Sequence, residues 1–259
     1  MMRRLKKCMY PIVCVAVLPL SAYAQETTEV DPGDMTKVYT QVGASIDSDS
    51  NIKLLGSISG TYDNNDSFLL YGEVTFGDAG FDDEDYGVGY NNGRLQYFHV
   101  MDSGVTSFPK VGFSVDLIHS ALPQVNNEDD MTLASFGVVG MVNPMYTEKF
   151  MAFPNIAYTK GKMYGEDVDG YLATLFLTRR ISENRSYIGF FPEYMSISGD
   201  DIERESAKLK FQIGTPITDS QRLWMMTTYE HQESKLNYLN INQGWVNSSR
   251  IELGFKYYI

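Results

Sequence analysis

From Val38 to Ile259 the chain is patterned in steps of two. VYTQVGASI (38–46) puts Val38, Thr40, Val42, Ala44 and Ile46 on one face and Tyr39, Gln41, Gly43 and Ser45 on the other. NIKLLGSISGTY (51–62) sets Ile52, Leu54, Ile58 and Tyr62 against Lys53, Ser57, Ser59 and Thr61. SAKLKFQIG (206–214) alternates most cleanly, with Ala207, Leu209, Phe211 and Ile213 opposed by Lys208, Lys210, Gln212 and Gly214. One apolar and one polar face at period two is the signature of a strand. The pattern predicts strands at about 36–46, 52–62, 67–77, 94–102, 109–118, 132–142, 149–159, 170–180, 186–197, 206–215, 221–231 and 250–259. These twelve strands run close to the ~9–11 residues that a tilted strand needs to cross a bilayer. No stretch after residue 24 shows a helical period, so the fold class is all-β.

The connections alternate in kind. Short ones fall at 63–66, 103–108, 143–149, 181–185 and 216–220; longer, mostly acidic ones fall at 47–51, 78–93, 119–131, 160–169, 198–205 and 232–249. Transmembrane barrels of bacterial outer membranes have short turns on one side and long loops on the other. An even strand number keeps the two sets apart, so 78–93 reads as one long loop, although its Asn92-Gly93 pair is a strong hairpin-turn signal. The fold expected is a transmembrane antiparallel up-and-down β-barrel over residues 36–259. Pro154 and Pro192 strain this reading. Each removes a ladder donor from a strand interior and demands a bulge or a shifted boundary.

The first 24 residues fall outside the barrel. Arg3, Arg4, Lys6 and Lys7 precede an apolar run from Cys8 to Leu20, and Ala22-Tyr23-Ala24 is an A-x-A site. This is the form of a cleaved signal peptide (1–24), which marks the chain for export. Residues 25–35 then read as a short periplasmic segment. Cys8 and Cys14 both lie in the signal, so no disulfide is expected in the remainder. Removing four basic residues takes the formal charge from −12 to −16, which argues against nucleic acid as a partner. No window approaches the 18 apolar residues of a spanning helix.

The last eight residues carry a resemblance. Glu252, Gly254, Tyr257 and Ile259 stand where the C-terminal signal of Gram-negative outer-membrane β-barrel proteins has a polar residue, a glycine, an aromatic residue and an apolar or aromatic terminus. Ile259 departs from the commonest terminus, Phe. The resemblance implies an outer-membrane, porin-like protein whose last strand is recognised by the barrel-assembly machinery and closes on the first strand. Outer-membrane lipid and lipopolysaccharide are then its surroundings. Twelve-stranded members of this class include solute channels and a phospholipase, so the resemblance leaves the function open.

Taking each strand's polar face as lumenal gives Lys37, Lys53, Arg94, Lys110, Asp116, Glu193, Lys208, Lys210, Arg222 and Glu230 as candidate pore-lining residues, with Glu73, Arg180, Glu252 and Lys256 on the same faces. A lysine or arginine facing lipid at mid-membrane costs ~2–4 kcal/mol, which supports turning these groups inward. Two readings stand side by side. In one, the charges line a passive channel for small solutes with a mild anion preference. In the other, they are a paired network filling a narrow, closed barrel whose outer loops bind a partner or divalent ions. The acidic clusters at 82–85, 128–130, 166–169 and 200–203 lack the spacing of a calcium loop, and no cofactor or metal is expected. Catalysis is not expected either. His99, His119 and His231 have no Ser two residues along the same face, and neither G-x-S-x-G nor H-E-x-x-H occurs.

Overall fold

The computed structural model describes residues 30–35, 37, 39–62, 66–78, 88–125, 128–239 and 241–259. The signal peptide and the acidic run 82–85 lie outside them. Twelve strands close into one antiparallel barrel. They are β1 (Gln41–Asp47), β2 (Ile52–Thr61), β3 (Ser67–Asp78), β4 (Val88–Val105), β5 (Phe108–Val125), β6 (Glu128–Met141), β7 (Met151–Met163), β8 (Glu166–Arg180), β9 (Tyr187–Ser198), β10 (Ile202–Pro216), β11 (Leu223–Tyr238) and β12 (Ile241–Tyr258). Each strand pairs with its sequence neighbours, and β12 closes on β1 from Gln41↔Tyr258 to Asp47↔Glu252. Closure satisfies the backbone donors and acceptors that lipid would leave unpaired.

The alternation sorts the side chains as expected. Phe136, Val138 and Ile156 point outward at 62–69% exposed. So do Leu54, Leu95, Phe113, Leu209, Phe211, Leu253 and Phe255, which together make an apolar belt. Tyr62 and Tyr257 lie at strand ends, and Tyr158, Tyr171 and Tyr229 face outward along the walls at 44–56% exposed.

Three sequence expectations change. First, the longer connections are mostly not loops. The strands continue through 88–93, 119–125, 128–131, 160–163, 166–169, 202–205, 232–238 and 241–249. Beyond the apolar belt the outer face loses its apolar residues, as at Asp167 and Glu203, so the period-two signal fades while the ladder persists. At Tyr164-Gly165 both residues have positive φ (52° and 81°), the requirement of a two-residue hairpin turn.

Second, Asn92-Gly93 makes no turn. It lies inside β4, beside a bulge where Thr75 opposes Asn92 but Phe76 opposes Tyr90. Asn91 is the extra residue, and its side-chain amide donates to Asn51 Oδ1 at 2.9 Å. Third, β1 begins at Gln41, five residues after the expected start.

The two prolines find their places without bulges. The β6–β7 ladder stops at Val139↔Asn155 and resumes only as a bridge at Val142↔Ala152, so Pro154 falls in the gap. The β8–β9 ladder skips from Thr174↔Glu193 to Leu177↔Phe190, and Pro192 falls in that gap. In each case one side of the strand has no ladder bond for proline to break.

The interior is far from empty. At the end carrying the short turns, residues 30–35 fold across the mouth. Val30 is buried against Tyr187, Trp224, Met226 and Tyr258. Met35 packs on the opposite wall against the cluster of Val139, Met141 and Phe153. Thr178 donates to the Gly33 carbonyl at 2.9 Å, and the Asp31 amide donates to the Tyr39 hydroxyl at 3.0 Å. At the hairpin end a second apolar cluster, including Met131, Leu133, Met163, Leu172, Ile197 and Tyr238, fills one side of the lumen. There Tyr238 stacks on Tyr164 with centroids 5.3 Å apart and planes 5° apart.

Candidate functional site

The charged middle of the lumen lies between these two apolar zones. Inward-facing positions on β4, β5 and β9 bring Arg94, Asp116 and Glu193 together. The Arg94 guanidinium donates from Nε to both Asp116 oxygens (3.0 and 2.9 Å), again from Nη2, and from Nη1 to Glu193 Oε2 (2.7 Å). Gln96 Nε2 donates to the same Asp116 at 3.0 Å, and Lys208 Nζ reaches Glu193 Oε1 at 3.4 Å. β4 and β9 are five strands apart around a twelve-strand ring. The Arg94–Glu193 bond therefore crosses the lumen and acts as a strut between facing walls.

A second set joins the seam where the barrel closes. Lys53 Nζ donates to Glu252 Oε2 at 2.6 Å, and Ser45 Oγ donates to the other Glu252 oxygen at 2.7 Å. Arg250 donates to Glu230 and stands 3.9 Å from Asp47. Tyr71 donates to Glu73 at 2.7 Å. Neutral pairs continue the polar lining, with Ser114 donating to Asn155 at 2.8 Å and Gln212 to Thr228 at 3.1 Å.

A cavity of about 580 Å³ runs beside this network. Pro32, Met35, Lys37 and Tyr39 border it at the turn end, Lys53, Arg94, Glu193, Lys208, Lys210, Glu230 and Lys256 in the middle, and Leu122, Met131 and Arg204 toward the hairpin end. Glu230 is joined to Arg250, while Lys210 and Lys256 have no carboxylate within ion-pair distance among the described residues.

Of the remaining candidates, only Lys37 borders the cavity. Asp116 faces inward but is buried behind Arg94 and does not border the cavity. Lys37 lies on the N-terminal segment, not on a strand, and is paired with Asp34 at 3.9 Å. Lys110 has inward parity but sits at the turn end of β5, 3.1 Å from an exposed Asp102, outside the cavity. Arg222 is exposed in the turn before β11 and does not line it either. For Lys110 and Arg222 the misplacement comes from carrying strand parity past the point where the wall ends.

Arg204 and Arg250 escape the sequence reading because they fall in or beside expected loops. Continuing the β10 alternation from Lys210 and Lys208 back through Ser206 reaches Arg204 on the same face.

Glu252 and Gly254 of the C-terminal motif face inward, and Tyr257 and Ile259 face outward. A Cβ on Gly254 would stand 2.6 Å from Ser45 Cβ on β1. The motif's glycine thus sits where β12 must approach β1 closely.

The histidines all point outward. His99 stacks on Phe113 (5.3 Å, 11°) beside Asp66. His119 Nδ1 is 2.9 Å from the Tyr90 hydroxyl. His231 lies directly opposite Ser249 across the β11–β12 ladder, with Nδ1 2.8 Å from Ser249 Oγ. Its Nε2 is 3.5 Å from Glu233 Oε1, and the Tyr229 hydroxyl donates to Ser249 Oγ at 3.3 Å. A search for His and Ser two apart on one strand misses this pair, because strand pairing creates it.

No family's sequence profile matches the chain, and no curated protein matches it. Solved structures do. The barrel is similar to the KdgM porin at 13% identity with a TM-score of 0.49, covering 85% of this chain and 98% of that one. It is similar to the KdgM porin in complex with disordered oligogalacturonate at 13% identity and 0.48, over the same shares. It is also similar to OmpT, an outer membrane protein of Vibrio cholerae, at 8% identity and 0.41, covering 85% and 96%. What the chain itself establishes is a closed, twelve-stranded antiparallel β-barrel.

Proposed function

We propose that the protein is a passive channel for small polar solutes in an outer membrane. In this reading the short turns face the periplasm and the long hairpins face outward. The observation that carries it is the cavity of about 580 Å³, which runs from the N-terminal segment to the hairpin end past ionised side chains. That volume lies within the ~300–1,000 Å³ range of small-molecule sites. An interior built only to stabilise the barrel has no need of such a water-sized passage beside its ion pairs. The strut from Arg94 to Glu193 and the segment at residues 30–35 then set the width. Purified protein in planar bilayers should give discrete openings, and liposomes containing it should swell in small sugars. Silence in both at every voltage would sink the channel.

One observation favours a second reading. Ser249, His231 and Glu233 form a nucleophile–base–acid order on the outer face, one ladder step beyond the last apolar pair of that wall, Tyr229 and Ile251. At a lipid interface such an order is the arrangement of an acyl hydrolase. Hydrolysis of a short-chain fluorogenic ester in detergent micelles, abolished by Ser249→Ala, would support it. Equal turnover by wild type and variant would remove it.

A further inference from the structure

We propose that Arg204 is an anion-binding site at the outer end of the lumen, which receives the carboxylate of a small acidic solute. The proposal rests on the channel reading and names the class of solute that the channel selects.

Most other cations in the lumen are matched by carboxylates. Arg94 is held by Asp116 and Glu193, Lys208 by Glu193, Lys53 by Glu252, and Arg250 by Glu230 and Asp47. Arg204 has no carboxylate within ion-pair distance among the described residues. Its one side-chain contact of hydrogen-bond type is from Nη1 to the Met131 sulfur at 3.7 Å. Its ladder partners are Ile197 and Leu236. The cluster beside it holds Met131, Tyr164, Ile197, Ile202 and Tyr238.

A guanidinium among apolar groups loses hydration that only an anion replaces well. Its planar fork matches a carboxylate with two parallel hydrogen bonds. Arg204 borders the cavity, whose lining also includes the apolar Leu122 and Met131 and the neutral polar Asn91, Asn92, Ser120, Ser206 and Gln232. Among the described residues that border the cavity there, none is acidic.

The site also leads somewhere. Along the inward face of β10, Lys208 lies two inward positions deeper, about 13 Å at the usual strand rise, and Lys210 follows it. Lys210 and Lys256 border the same cavity and have no carboxylate within ion-pair distance among the described residues. An anion released by Arg204 therefore meets further cations down one wall.

The test is the chloride-to-potassium permeability ratio of the full chain in planar bilayers under a KCl gradient. Wild type should be anion-selective. Arg204→Met should lower the ratio about fivefold, the effect of one unit charge at contact distance in a water-filled lumen. Arg204→Lys, which keeps the charge, should stay within about twofold. Met131→Glu sets a carboxylate against the guanidinium without removing it and should match Arg204→Met, which guards against a variant that fails to assemble. A ratio unchanged in both Arg204→Met and Met131→Glu, with openings still present, would overturn the anion site and leave the channel standing. No openings in any variant or in wild type would overturn the channel itself.

Discussion

Replacing Arg94 by methionine tests the strut across the lumen. The substitution keeps side-chain bulk and removes the donors to Asp116 and Glu193. Asp116 keeps one bond, from Gln96 at 3.0 Å, and Glu193 keeps Lys208 at 3.4 Å. The three side chains are only 5–16% exposed, so solvent compensates poorly for the lost charge. Removing one partner of a buried ion pair costs about 3–5 kcal/mol, because the other is left buried and unmatched. Arg94→Met leaves Asp116 with no cation and Glu193 with only Lys208, so we expect a loss in that range. Lys110→Met is the control. Its partner Asp102 is 64% exposed, and such pairs contribute less than about 1 kcal/mol. Urea titration of barrels folded into vesicles, followed by tryptophan fluorescence, measures both, with the fully buried Trp224 as reporter. Adding Asp116→Asn to Arg94→Met should recover stability, since it discharges one stranded group; independent contacts would instead add their losses. The reasoning fails if Arg94→Met unfolds within about 1 kcal/mol of wild type, or costs no more than Lys110→Met.

Two further substitutions probe the ends of the barrel. Val30→Asp places a carboxylate among Tyr187, Trp224 and Tyr258, which should expel the N-terminal segment from the mouth. Single-channel conductance should rise while the barrel still shows the heat-dependent gel migration of a folded outer-membrane protein; unchanged conductance would mean the segment does not set the width. Gly254→Val directs a branched side chain at Ser45 Cβ and the Ala44 carbonyl, 2.6 and 3.0 Å from the first added carbon. The β12–β1 seam should fail to close, and the folded gel form should disappear. A normally folded barrel would show that β1 yields easily.

Much of the architecture was legible in the chain itself. Period two decides that Leu209 and Leu253 meet lipid, because a one-residue slip in β10 would turn Lys208 and Lys210 outward at ~2–4 kcal/mol each. The even strand number followed from the alternation of short and long connections, and closure from the C-terminal motif, which fits the cost of any unpaired edge in lipid. The hairpin ends were less legible: once the outer face turns polar, β10 gives no regular apolar rhythm through Arg204, and the β11–β12 hairpin none through 232–249.

What the tertiary structure alone decided is who meets whom across the lumen and across the ladder. Arg94 and Glu193 lie 99 residues apart, and nothing in either strand announces the other. Ser249 meets His231 only through the register of β11 with β12. Residues 30–35, expected to sit apart from the barrel, turn into its mouth because the inner faces of Tyr187, Trp224 and Tyr258 offer an apolar surface to Val30. Alternation along a strand is local and survives in the sequence; the pairing of inward groups depends on barrel size and register, which only the closed ring sets.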